Sequence, residues 1–202
     1  ENLYNDLNAA ENEALQYQLY ENAITVLKNR ETILPIKNLD KQKIAYVKIG
    51  DDNNDSFVST LQKYADVTVV EDKNLDSLQV KLAPFTTVII GYHKSDVAFR
   101  NDDLRVDELN KINFLAQRNN VILDVFAKPY SLIPLDNFDA VKGLVISYQN
   151  TTISQIVSAE LIFGAIAAKG KLPVSINSNF KVNDGISTEK LNRLGFTTAE
   201  NV

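Results

Sequence analysis

Three short stretches combine side chains able to do chemistry. They are Asp51-Asp52-Asn53-Asn54-Asp55, His93-Lys94-Ser95-Asp96 and Lys128-Pro129-Tyr130. The first could hold a hard cation through its carboxylates. It lacks the spaced ligands and final glutamate of a calcium loop, so a solvated turn capping the helix that follows is the preferred reading. The second pairs His93, the single histidine of the chain, with Asp96, a combination suited to general acid–base work. One histidine beside one carboxylate is common in surface loops, and this pair is a weak catalytic candidate. Ser-x-x-Lys, a serine-nucleophile pattern, occurs as Ser178/Lys181 and Ser187/Lys190. Both lie in an irregular stretch, and two hits to a pattern with two fixed positions read as chance.

No G-x-G-x-x-G fingerprint, no G-x-S-x-G elbow and no phosphate loop is present; Gly164 to Lys171 has the wrong spacing and follows a helix instead of opening one. Tyr17 and Tyr20 read as packing residues. With no cysteine, disulfides and thiolate metal sites are excluded, and one histidine argues against structural zinc. No cofactor is expected. A net charge of −5 gives no general attraction to nucleic acid or anionic lipid, and no apolar run is long enough for a membrane span.

The elements that must position these loops alternate regularly. A helix is expected over 5–22, with Leu7, Ala10, Ala14, Leu15, Tyr17 and Leu19 on its apolar side, followed by a strand over 23–28. Strands at 43–49, 67–70, 86–91, 121–126 and 143–147 alternate with helices at 56–64, 75–82 and 103–118, and a short irregular or helical piece fills 129–134. Short apolar strands between amphipathic helices predict a mostly parallel sheet covered on both faces, a flavodoxin-like three-layer α/β/α sandwich. The stretch 143–176 organises the rest. It reads as a doubly buried strand, a helix opened by a Thr152/Gln155 capping box and stopped at Lys169-Gly170, and an edge strand Leu172–Ile176. The domains expected are a helical lead-in over 1–22, the sandwich over 23–177, and a tail or linker over 178–202. A start at Glu1-Asn2-Leu3-Tyr4 without methionine reads as a piece of something longer. On its residues alone this is a sandwich domain without its own active site.

Three ordered segments resemble family 3 glycoside hydrolases. Glu21-Asn-Ala-Ile-Thr-Val-Leu-Lys-Asn29 with Leu34-Pro35-Ile36 resembles the opening of that family's second domain. Gly170-Lys-Leu-Pro-Val174 resembles its closing motif, and Leu191-Asn-Arg-Leu-Gly-Phe196 its trailing F-R-L-G-Y. The resemblance implies a retaining hydrolase of β-linked sugars whose nucleophile lies on a separate N-terminal (β/α)₈ barrel, the expected partner of this domain. In many β-glucosidases of the family the second domain lends an acid/base glutamate from a loop reading like G-E-x-P-Y-x-E. The matching Gly91-Tyr92-His93-Lys94-Ser95-Asp96-Val97 has Tyr92 and Val97 in the glutamate positions. That departure fits the β-N-acetylglucosaminidase branch, where the second domain is accessory. The expectation is therefore a non-catalytic domain that packs on the barrel and borders its carbohydrate cleft through the 51–55, 92–100 and 128–131 loops. The alternatives are a domain supplying Asp96 or His93 to the barrel's active site, and an independent flavodoxin-like ligand-binding module. The resemblance further implies an extracytoplasmic location and leaves room for a C-terminal serine-hydrolase-like domain.

Overall fold

The computed structural model describes residues 10–95, 103–134 and 139–195. Its sheet is built from apolar runs. These are β1 (Thr25–Asn29), β2 (Ile44–Gly50), β3 (Val67–Val69), β4 (Thr87–His93), β5 (Val121–Phe126) and β6 (Gly143–Ile146). Every residue of β4, β5 and β6 is buried, as expected of strands covered on both faces. The six strands lie in the order β1-β6-β5-β4-β2-β3. All neighbours are parallel except β1, which pairs antiparallel with β6 and contains an irregularity between Val26 and Lys28.

Among the described residues five α-helices accompany this sheet: α1 (Ala10–Ala23), α2 (Asp55–Tyr64), α3 (Leu75–Leu82), α4 (Val106–Ala116) and α5 (Thr152–Phe163). Side-chain alternation along the strands divides the core into two. On one face Ala45, Val47, Val88 and Ile90 meet Leu78 and Leu82 of α3 and Ile112 and Leu115 of α4. On the other, Tyr46, Ile89, Ile122 and Val145 meet Phe57 and Leu61 of α2 and Val157 and Leu161 of α5. The sandwich is thus the α/β/α architecture predicted from the alternation, with a mostly parallel sheet.

Several local expectations change. The cap of α5 is Thr151, not Thr152: its side chain accepts from Ser154 N–H at 3.1 Å while Ser154 Oγ accepts from Thr151 N–H at 3.0 Å. That helix ends at Gly164, not at Lys169-Gly170. Gly164 adopts φ +75°, and a Cβ there would stand 2.7 Å from Pro35 Cβ, so glycine both terminates the helix and admits the neighbouring chain. Leu172–Ile176 is not a strand. Leu172 instead exchanges backbone hydrogen bonds with Asn183 and Asp184, and β1 occupies the sheet edge. Leu15 and Leu19 face outward, 54% and 60% exposed, because the helix turns Tyr17 and Tyr20 toward the α5 face. Their hydroxyls donate to Glu160 and to Gln149 Oε1 respectively.

Residues 178–195 carry no helix or strand but lie against the sandwich. Ile186 N–H donates to Val26 O at 2.8 Å, Leu191 N–H to Gly164 O at 2.7 Å, and Arg193 reaches Phe163 O.

Candidate functional site

In an open parallel sheet, ligands collect at the carboxyl ends of the strands where the chain leaves neighbouring strands toward opposite faces. Here that point lies between β2, which feeds α2 on one face, and β4, which feeds α4 on the other. Gly50 closes β2 with φ +99°, and a Cβ on it would sit 2.1 Å from His93 O, so the two strand ends touch through backbone. Asp51 and Asp52 N–H groups then donate to the same His93 carbonyl.

His93 was expected in a loop after a strand ending at Gly91. Instead β4 runs two residues further, and His93 is its last member with no exposed surface. Its ring stacks on Phe126. One side-chain network fixes its protonation. Asn150 Nδ2 donates to Asp52 Oδ2 at 2.9 Å and to Asn53 O at 2.8 Å, which leaves Asn150 Oδ1 as the acceptor facing the imidazole at 2.8 Å. His93 Nδ1 therefore carries the proton and Nε2 accepts from the Tyr46 hydroxyl at 2.9 Å. Tyr46 in turn accepts from Asn54 Nδ2 at 3.0 Å. Gln155 joins the set, donating to Asn150 Oδ1 and Asn53 O and accepting from Phe57 N–H. Burial lowers the His93 pKa to about 4, which keeps the ring neutral near pH 7. Burial likewise pushes the Tyr46 phenol well above its ordinary value. Both imidazole nitrogens are occupied, so the ring serves to join β4 to the loops before α2 and α5.

In the acidic loop the carboxylates are engaged with neighbouring amides. Asp52 is held below the usual carboxylate range chiefly by the Asn150 hydrogen bond, and Asp55 Oδ2 accepts from Asn53 Nδ2 at 2.8 Å. Among the described residues no three His, Asp or Glu side chains group for a metal. The expected side-chain cap is also absent. Asn54 holds the N-cap position of α2, but its amide is turned to Tyr46.

On the α4 side of the same junction lies a cleft of about 410 Å³ lined by Lys48, Asp51, Lys94, Arg105, Asp107 and Lys111, among others. Its charges are largely matched. Lys94, 7% exposed, places Nζ 3.4 Å from Glu108 Oε1 and 4.0 Å from Asp51 Oδ2. Glu108 also accepts from Arg105 N–H at 2.9 Å, the reciprocal half of an N-terminal cap on α4. Tyr92, read from sequence as part of a loop, is wholly buried in β4 and donates to Asp103 O at 3.2 Å. Asp96 and Val97 lie outside the described residues. Tyr130 is half exposed on a short 3-10 turn, Pro129–Leu132, that follows β5. Ser178, Lys181, Ser187 and Lys190 are exposed on irregular backbone.

Sequence reasoning missed the network around Asn150, which reads simply as a residue before a helix. It also missed Asp124, a carboxyl in the middle of Val-Ile-Leu-Asp-Val-Phe; a charge inside so apolar a run was the available signal.

The fold defines a flavodoxin-like α/β/α domain with a sixth, antiparallel edge strand. This arrangement recurs within solved structures of family 3 glycoside hydrolases. A fungal multi-domain family 3 β-N-acetylglucosaminidase matches 93% of this chain with 21% of its own, at 22% identity and TM-score 0.71. A β-glucosidase from Listeria innocua matches 85% of this chain with 28% of its own (16% identity, TM-score 0.67). A family 3 β-N-acetylglucosaminidase from Paenibacillus matches 83% with 33% of its own, at 18% identity and TM-score 0.61. The chain thus spans between a fifth and a third of the length of these structures. No protein-family model and no curated protein matches the sequence.

Proposed function

We propose that this chain is the accessory, non-catalytic second domain of a family 3 glycoside hydrolase of β-N-acetylglucosaminidase or β-glucosidase type. It packs on a catalytic (β/α)₈ barrel and borders the sugar cleft with the loops at the carboxyl ends of β2, β4 and β5. One observation carries this reading: the similar structures align over nearly all of this chain but over only 21–33% of their own. The ordered motifs at 21–36, 170–174 and 191–196 support the family. The buried chemistry supports the accessory role. Retaining hydrolysis needs a nucleophile and a general acid/base flanking the bond, whereas His93 has both nitrogens committed and Tyr92 fills a core position where the glucosidase loop would place the acid/base glutamate. That substitution favours the β-N-acetylglucosaminidase type, and by the same resemblance the protein works outside the cytoplasm.

The test is to capture the native polypeptide from its source with an antibody against this domain. It is then assayed beside the 202-residue chain on 4-nitrophenyl N-acetyl-β-glucosaminide and the matching β-glucoside. The expected result is a polypeptide several times larger than 22.6 kDa that hydrolyses one of the two, with no turnover by the 202-residue chain. Turnover by the short chain, or a native polypeptide near 22.6 kDa, overturns the proposal.

A further inference from the structure

Asp124 lies in β5 between Gly91 of β4 and Val145 of β6, and it has no exposed surface. Two equally buried serines meet it, Ser147 just after β6 and Ser158 on α5. Ser147 Oγ lies 2.7 Å from Asp124 Oδ1, Ser158 Oγ is in contact with Oδ2, and the two hydroxyl oxygens are 3.0 Å apart. These are three mutual contacts at hydrogen-bond distance. An ionised carboxylate supplies no proton, and two hydroxyls supply one each. With both serines donating to the carboxylate, the Ser147–Ser158 contact would hold two oxygens and no proton between them. One more proton removes the conflict. A carboxylic acid donates to one serine, that serine to the other, and the second back to the carboxyl, in either sense of circulation.

We propose that Asp124 is stored in the folded protein as the neutral acid, closing a three-membered hydrogen-bond ring with Ser147 and Ser158 that ties α5 to the sheet and opens when the proton is lost.

The surroundings agree. Burial is the chief influence on this carboxyl and raises its pKa to about 7, against the opposing hydrogen bonds of Ser158, Ser147 and the Val125 N–H. The neighbouring element β6 is Gly-Leu-Val-Ile and brings no charge. On β2 the groups are the neutral Tyr46 phenol and Lys48; on β4 the group is His93, neutral near pH 7. Glu160 of α5 accepts from Tyr17, and α2 turns Phe57, Thr60 and Leu61 inward, leaving Asp55 and Lys63 exposed.

The sign follows from linkage. A carboxyl whose pKa is raised on folding gives stability that is complete below its unfolded value and is lost as pH climbs through the folded one. His93, lowered by burial, acts in the opposite direction, but only below about pH 6.5, its unfolded value. The interval from about pH 6.5 to about pH 8.5 therefore separates Asp124 from His93.

The direct test is carbon-13 NMR of the aspartate carboxyls in the wild-type protein. The expected result is one carboxyl still protonated near pH 6 that titrates near neutrality and disappears in Asp124→Asn. Titration of all aspartates together near pH 4, the ordinary range, overturns the proposal. The second test compares urea unfolding of the wild type and Asp124→Asn, whose amide can complete the same ring without a titratable proton. The wild-type folding constant should fall several-fold across the interval, while the variant stays level and is the more stable at the alkaline end. A wild type that stays level, or a variant weaker there, overturns it. If the variant does not fold, the wild-type NMR titration and unfolding curve decide alone.

Discussion

The imidazole of His93 lies flat on the ring of Phe126, with 4.4 Å between centroids and 11° between planes, while Phe57 meets both rings edge-on. A side chain that invites an acid–base reading thus sits in an aromatic stack at the end of a strand. Replacing it by alanine deletes the stacked ring and strips both Tyr46 and Asn150 of a buried partner. The expected loss is about 2–5 kcal/mol, read from the urea midpoint of His93→Ala.

The same residue sets an acid limit on the fold. Its pKa is lowered to about 4, so its neutral form contributes stability present above the unfolded value of about 6.5 and lost as pH falls through 4. Proton NMR of the ring should show no titration between about pH 8 and pH 5.5. An imidazole titrating near 6.5 would contradict the closed network.

At Gly50 the backbone itself is the constraint. Alanine there must adopt φ +99° and thrust a methyl group 2.1 Å from the His93 carbonyl oxygen. Gly50→Ala is expected to lose at least about 2 kcal/mol, more than an ordinary left-handed glycine replacement, and to shift the His93 ring resonances.

Thr151 makes a smaller and cleaner prediction. Removing its hydroxyl leaves the Ser154 N–H without its cap, so Thr151→Ala should lose about 1 kcal/mol by thermal unfolding.

On α1 the expectation is the absence of an effect in this chain. Leu15 and Leu19 are largely exposed, so serine at both should change the stability of the 202-residue chain by no more than about 0.5 kcal/mol each. A large loss would mean that the helix is seated differently.

The sequence disclosed the parallel core because each of its strands is an apolar run between helical periodicities, and burial on both faces demands little else. It misplaced the details that rest on single contacts. Lys169-Gly170 has the composition of a helix stop, yet Gly164 stops α5 by adopting a left-handed conformation, with Pro35 from elsewhere in the chain lying against it. Leu172–Ile176 has strand composition, yet its backbone hydrogen bonds go to Asn183 and Asp184 at Leu172 and to Phe180 at Ile176. Leu15 and Leu19 match an apolar stripe, but the tyrosines find partners in Glu160 of α5 and in Gln149 just before it, which set the rotation of the helix. The site shows the same division. His93 stands out as the only histidine, but its roles depend on Tyr46, Asn54 and Asn150, whose proximity is created by strand order and not by spacing. The residues that look reactive in a line of letters are therefore the ones whose meaning is fixed last.

The antiparallel pairing of β1 with β6 also orders events in time. During synthesis β1 leaves the ribosome first among the strands, yet its partner follows only after the other four have been made. The segment that donates to Val26 comes later still. Until then β1 must wait with an apolar face uncovered, while β2 to β5 can already pair with one another. Of the strands of this sheet, the first to be made is thus the one most exposed to mispairing, and a segment made after its partner strand helps to secure it.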